Sequence, residues 1–394
     1  MALDLRDAIL AVDARAEQHL VQHRRDLHKN PELSDKELET TRYILERLDD
    51  LGLDNLHQGP AGTGVVADVK GRRPGRSVLL RADIDGLPIS ERSDLPFKST
   101  RPGVMHACGH DVHMAIALEL ADTFAVNRDQ LPGLVRFVFQ PAEETGSGAK
   151  RMIEAGVLDG IDRVMGLHVW SQLPVGQVSI RPDAVMASGD FFTLTINGKA
   201  AHGAQPHLGV DAIVIAAQVI TALQTLASRE TAAASPVVIT IGSVRGGTAP
   251  NVLSGEVVLQ GTLRTFDKEL RGTLLKRIAE LVDGIATAMR GRSEFRLDSE
   301  APPVINDPAT SEVVSKVARS LLGNEAVVPF EPLMVAEDFS YFLEARPGCF
   351  FLLGGAPGGA PVAHHTPEFR IDERCLAIGY RVMGAAVLRL LEQD

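Results

Sequence analysis

The chain has 394 residues, enough for two or three domains of roughly 100–200 residues each and for a sizeable buried core. Hydrophobic residues make up 45% and charged residues 23%, which excludes a disordered chain, a collagen-like fibre and a coiled coil. The formal net charge of −11 argues against nucleic-acid and anionic-membrane partners, since both need a concentrated basic face.

Along the chain, the first sixty residues read as helical. Ser34-Asp-Lys-Glu37 has the pattern of a capping box, Ile44, Leu45, Leu48 and Leu51 follow at helical spacing, and Gly52 stops the helix. Val65-Val66-Ala67 and Val78-Leu79-Leu80 read as strands on either side of the turn Gly71-Arg-Arg-Pro-Gly75. A helix is expected over residues 112–125, and buried strands over 134–139 and 164–169. Strands alternating with helices predict a mixed, mostly parallel sheet flanked by helices, in an α/β domain.

The texture changes near Pro182. Residues 191–196 alternate, with Phe192, Leu194 and Ile196 on one face, as a half-wetted strand should. A helix over 210–226, strands over 237–244 and 256–263, a helix over 270–289 and a strand near Phe295 complete an α+β unit, an antiparallel sheet with two helices on one face. Pro302-Pro303 marks the return to the first domain. The expected organisation is one domain from residues 1–185 and 300–394, with a second inserted at 186–299.

The longest apolar stretch, 212–227, is interrupted by Gln218, Thr221, Gln224 and Thr225 and does not read as a membrane span. The first residues carry acids where a signal peptide needs a basic tip, and three cysteines are too few for a disulfide framework. A reduced, cytoplasmic protein with no membrane partner is expected.

Most of the twelve histidines gather in four short stretches: His106, His110 and His113; His168; His202 and His207; His364 and His365. In Met105-His-Ala-Cys-Gly-His-Asp-Val-His113, a thiol two residues from an imidazole can hold a metal, because glycine lets the turn fold Cys108 and His110 inward. With no CxxC pair, open mixed ligation fits a catalytic site better than a zinc finger. Phe139-Gln-Pro-Ala-Glu-Glu144 puts adjacent carboxylates where a buried strand runs out, so one can bind metal while the other stays free as a base. His168 ends another apolar strand, and His364-His365 lies beyond the glycine-rich loop 354–359. Asp83 and Asp85, with His113, are expected behind the ligands, orienting ligand imidazoles. Gly62-Thr-Gly-Val-Val-Ala67 matches a dinucleotide fingerprint only loosely, since a strand and not a helix follows it. No zinc helix, serine elbow or phosphate loop is present.

Taken together, the ordered motifs resemble the M20 metallopeptidases, in particular the amidohydrolase branch with N-acyl-amino-acid, hippurate and auxin-conjugate hydrolases. The resemblance runs through Arg24-Arg-Asp-Leu-His28, Pro31-Glu-Leu-Ser34, Ala82-Asp-Ile-Asp-Gly-Leu-Pro-Ile89, the Cys108 and Glu143 motifs and Gly166-Leu-His-Val-Trp170. It continues through Gly198-Lys-Ala-Ala-His-Gly-Ala-Gln-Pro-His207, Gly246-Gly-Thr-Ala-Pro-Asn-Val252, Gly261-Thr-Leu-Arg264, Met334-Val-Ala-Glu-Asp-Phe-Ser-Tyr-Phe342 and His365-Thr-Pro367. Gly86 stands where the branch often has alanine, and Val335-Ala336 where Gly-Ser is commoner.

The resemblance implies a dinuclear-metal amidohydrolase whose inserted domain is a lid or dimerisation domain. Cys108, His110, Glu144, His168 and His365 would ligate two divalent ions per subunit (Zn, Mn, Co or Ni), with Cys108 as a candidate bridge, and Glu143 would be the general base that activates a metal-held water. His202 resembles the family histidine that reaches a neighbouring subunit's site, and Asn251 and Arg264 resemble residues that hold the substrate. The implied substrate is a small N-acyl amino acid with an aryl or short acyl group. The alternatives are a dipeptidase or small-molecule carboxypeptidase with the same site and a non-catalytic metal-binding homologue, and a homodimer through the lid, or a higher homo-oligomer, is the implied assembly.

Overall fold

The run Leu134-Val-Arg-Phe-Val-Phe139 is apolar except for Arg136, which donates to Asp68 at 2.7 Å, and it lies inside a covered sheet. The computed structural model describes residues 4–329, 331–358 and 361–392. It divides into two compact units, one of Met1–Val185, Ile305–Glu331 and Asp338–Asp394, the other of Met186–Val304 and Pro332–Glu337.

In the first unit a seven-stranded sheet runs in the order Asp54–Gln58, Val65–Lys70, Pro132–Gln140, Arg73–Asp83, Arg163–Pro174, Gly348–Ala356, Val178–Ser179. The four strands from Pro132–Gln140 to Gly348–Ala356 are parallel, and antiparallel strands close both edges. Val65–Lys70 and Arg73–Asp83 are not neighbours, because Pro132–Gln140 lies between them. Phe137, Met165, Val169 and Phe351 pack in one core with Met114 and Leu120 of helix His110–Val126 and Tyr380 and Val387 of helix Arg374–Leu391. Helix His110–Val126 is buried along nearly its whole length, its polar residues Asp111, His113 and Glu119 included.

Two readings of the N-terminal segment are overturned. Asp54–Gln58 is an edge strand, missed because only Leu56 is apolar and the rest faces solvent, leaving no period to read. The capping box does not form. The helix begins at Leu38 with Glu37 as its N-cap and no side-chain cap bond, while Ser34 Oγ donates to Asp85 Oδ2 at 2.7 Å. Glu32 takes over, accepting from the Thr40 amide at 2.8 Å.

The second unit holds a four-stranded antiparallel sheet in the order Val237–Gly246, Glu256–Thr265, Asp190–Asn197, Arg292–Ser299. Phe192, Leu194 and Ile196 point into its core, as their alternation requires. Helix Ala212–Thr225 is capped by Asp211 and buries Ala212, Ile215, Ala216, Val219 and Leu223. Helix Lys268–Ala288 is capped by Asp267 and buries Leu274, Ile278, Val282 and Ala286. By length and composition alone Ala212–Glu230 would suffice to cross a membrane, so its glutamines and threonines do not by themselves exclude a span. Its apolar stripe is instead occupied by the core of this unit.

Candidate metal centre

Sheet register brings the chemistry to one level of the first unit. Asp83 pairs with Gln140, and the parallel pairing of Val78–Leu80 with Arg163–Met165 carries Asp83 and His168 toward the same, C-terminal, end of the sheet. Cys108 and His110 flank Gly109, whose φ is +98° and where an added Cβ would lie 2.3 Å from Val169 Cγ1. Only glycine satisfies both the left-handed backbone and that close approach. The turn opens helix His110–Val126. The His365 amide donates to Ala107 O at 2.9 Å, which docks the C-terminal segment on the Cys108 loop. The glycine-rich loop before it leaves the strand Gly348–Ala356, and Gly359 lies outside the described residues.

Five of the expected ligands converge. Cys108 Sγ is 3.3 Å from His168 Nε2 and 3.4 Å from His365 Nε2. Glu144 Oε1 is 3.5 Å from His365 Nε2 and 3.9 Å from His110 Nε2. The ligand atoms of Cys108, His110 and His168 all lie within 4.8 Å of one another, and so do those of Cys108, Glu144 and His365. Cys108 is common to both sets. Glu143 Oε2 also stands 3.9 Å from His110 Nε2, but of the two glutamates it is Glu144 that joins Cys108 and His365.

Hydrogen bonds fix the imidazole tautomers. His110 Nδ1 donates to Asp85 O at 2.9 Å with Asp85 Oδ1 at 3.2 Å, and His168 Nδ1 donates to Val169 O at 2.8 Å, so both Nε2 lone pairs face the cluster. His113 differs. Its Nε2 accepts from the Val169 amide at 2.9 Å, so Nδ1 carries the proton and donates to Asp83 Oδ1 at 2.5 Å. Both of its nitrogens are spent, and it steadies the strand that carries His168. Asp83 thus holds His113 and also stands 3.5 Å from His110 Nε2, while Asp85 bonds His110 Nδ1. His364 has one nitrogen engaged: its Nε2 accepts from the Ser171 amide at 3.1 Å, its Nδ1 is buried without a hydrogen-bond partner, and its ring stacks on Trp170 at 4.5 Å.

The donor set fits a cation. His110 Nε2 and Glu144 Oε1 are buried without a hydrogen-bond partner, yet face each other. Burial alone would strip the proton from His110, but Asp83, Asp85 and Glu144 push its pKa up to about 10. Burial pushes the Glu144 carboxyl up to about 7, and burial beside His113 and His364 holds His168 well below the usual imidazole range. The acids around His110 therefore favour positive charge here, which a bound metal ion would supply in place of a proton.

Sequence reasoning missed Arg81. It is buried, and its guanidinium donates to Asp83 Oδ2 at 2.6 Å, Gln140 Oε1 at 2.9 Å and Asp338 Oδ1 at 2.8 Å. Gln140 Nε2 and the Ala149 amide also donate to Asp338, both at 2.9 Å. An arginine inside the apolar run Val78-Leu-Leu-Arg-Ala82 was the available signal, since a buried guanidinium demands acids around it.

A model of peptidase family M20/M25/M40 matches residues 79–389. The chain belongs to this family. It is 40% identical over 378 residues, 96% of this chain and 89% of the relative, to the N-acetyl-L-cysteine deacetylase of Bacillus subtilis (strain 168). It is 38% identical over 368 residues, 92% of this chain and 93% of the relative, to thermostable carboxypeptidase 2 of Saccharolobus solfataricus. Among solved structures, the Bacillus subtilis YXEP protein, a dinuclear metal-binding peptidase from the M20 family, superposes with a TM-score of 0.85 at 36% identity, covering 97% of this chain and 100% of that one. This M20 chain is a metal-dependent hydrolase of the amidohydrolase and peptidase type.

The tautomers make a prediction for this M20 centre. His110→Ala should lower the number of ions bound per chain, while His113→Ala should keep that number and weaken affinity roughly 10- to 100-fold. Elemental analysis after gel filtration, with chelator competition, measures both. An equal loss of ions from the two variants would make His113 a ligand.

Proposed function

We propose that the chain hydrolyses the amide bond of N-acyl amino acids carrying an aryl or short acyl group, releasing a carboxylic acid and a free amino acid. The observation that carries this reading is the single cysteine, Cys108, shared by two candidate ligand sets. It supports one ion held by Cys108, His110 and His168 and a second held by Cys108, Glu144 and His365. Such ions supply Lewis acidity, acidifying water and polarising a carbonyl.

The chain's own groups would do the rest. Glu143, beside the cluster and left out of the two Cys108 sets, takes the proton from the attacking water and returns it to the departing amine. On the second unit, strand Ala201–His202 pairs with Val252–Leu253, which sets His202 beside Asn251. His202 Nδ1 accepts from the Ala204 amide at 3.1 Å, so the neutral ring carries its proton on Nε2, the donor a developing oxyanion needs. Arg264 stands apart from that ribbon on the four-stranded sheet, its guanidinium 5.4 Å over the Phe191 ring, suited to a substrate carboxylate.

Two features support the assembly and the setting. Val237–Gly246 is a long edge strand with Val238 and Val244 exposed, a surface that pairing with a second copy would cover and that fits a homodimer through this unit. The three free thiols are all buried, in keeping with a reducing, cytoplasmic setting.

The carboxypeptidase relative favours a second reading, cleavage of dipeptides or short peptides by the same groups. One assay tests both. After dialysis against chelator, Mn, Zn, Co or Ni is restored in turn and free amino acid is measured from N-acetyl, benzoyl and indole-acetyl amino acids and from dipeptides. Metal-dependent release from the acyl amino acids is expected; release from the dipeptides alone would move the assignment to the second reading.

A further inference from the structure

Glu37, the residue that fails to build a capping box, reaches into the turn that carries the two glutamates. Its side chain is fully buried, and Oε1 accepts from the Ala142 amide at 2.9 Å. Ala142 is itself buried and holds a left-handed φ of +54°, a costly conformation for alanine that persists only where its surroundings over-determine it. Two residues on, the Glu144 amide donates to Asp85 Oδ2 at 3.0 Å. Glu143 is therefore bracketed by two backbone amides, each held by a buried carboxylate.

We propose that Glu37 is a positioning residue: it holds the backbone on which Glu143 and Glu144 stand and touches neither metal nor substrate. This rests on the reading of Glu143 as base and Glu144 as ligand. Glu37 Oε2 has no hydrogen-bond partner, so burying this carboxyl costs the fold stability, and burial pushes its pKa up to about 7. The gain is in placement. Its neighbour Thr41 accepts from the Gly64 amide at 2.9 Å, which ties the start of the helix to the sheet and keeps Glu37 from drifting with its helix. Asp85 makes a poorer probe of the same turn, because it also bonds His110 and its loss would disturb a ligand directly. Glu37 bonds the turn and no candidate ligand side chain.

The test compares Glu37→Ala, Glu37→Asp and Glu37→Gln in kcat, KM, metal affinity by chelator competition, and Tm. Glutamine keeps an acceptor oxygen at the same reach, aspartate keeps the charge but falls short, and alanine loses both. Glu37→Ala and Glu37→Asp should each lose roughly 10- to 100-fold in kcat, with KM within about threefold and metal bound more weakly. Glu37→Gln should stay within about threefold of the parent in every readout, with Tm unchanged or raised because a buried charge is gone. The proposal is overturned by an alanine variant with parental kcat and metal affinity, by an aspartate variant more active than the glutamine one, or by activity losses that simply follow losses in Tm. Activity in Glu143→Gln would remove the underlying reading instead, and chelator competition would still report the placement of Glu144 without any substrate.

Discussion

Glu143→Gln should keep its metal complement and turn over N-acyl amino acids about 100- to 10,000-fold more slowly than the parent chain. The amide is nearly isosteric with the carboxylate but cannot accept the proton of the attacking water. Glu143 is not in the set of Cys108, Glu144 and His365, so the change leaves those donors in place. The effect should fall on kcat, with KM little altered, because the proton moves only on the way to the transition state. Single-turnover kinetics with elemental analysis of the same sample check both halves. Parental activity would remove Glu143 as the base, and loss of metal would make it a ligand.

His202→Ala should lower kcat about 100- to 1000-fold, the usual effect of removing one oxyanion donor. Its decisive use is in mixtures. If His202 serves the site of a partner subunit, equal amounts of His202→Ala and Glu143→Gln protein, allowed to exchange, form mixed dimers in which one of two sites has both residues intact. About a quarter of parental activity should then return, from two parents that each lack it. If the histidine serves its own subunit, every site in the mixture lacks one group and no activity returns.

The local parts of the site were legible because their spacing is short. Cys108, Gly109 and His110 form a turn whose geometry glycine announces, and adjacent Glu143 and Glu144 follow an apolar strand in sequence and in space. Glu37 was not legible: Ser34-Asp-Lys-Glu37 satisfies a local capping rule, but Ser34 bonds Asp85 and Glu37 bonds Ala142, partners 51 and 105 residues away. Arg81 gave a signal without an address, since Asp338 lies 257 residues on. The edge strand Asp54–Gln58 gave none, because a strand exposed on most sides needs no apolar period.

Hydrophobic periodicity, glycines with left-handed backbone and short clusters of donors are written into consecutive residues, so the sequence by itself determined the α/β architecture and the types of ligand. The tertiary structure decided how those donors are used. Whether an imidazole offers a lone pair depends on what its other nitrogen meets, and for His110, His113 and His168 that partner lies on another element or on the backbone. His110 and His113 occupy one helix three residues apart, yet one faces the cluster and the other is spent on Asp83 and Val169. Only packing makes that distinction, because a hydrogen bond requires a position in space and sequence spacing supplies it only within a turn or two of helix.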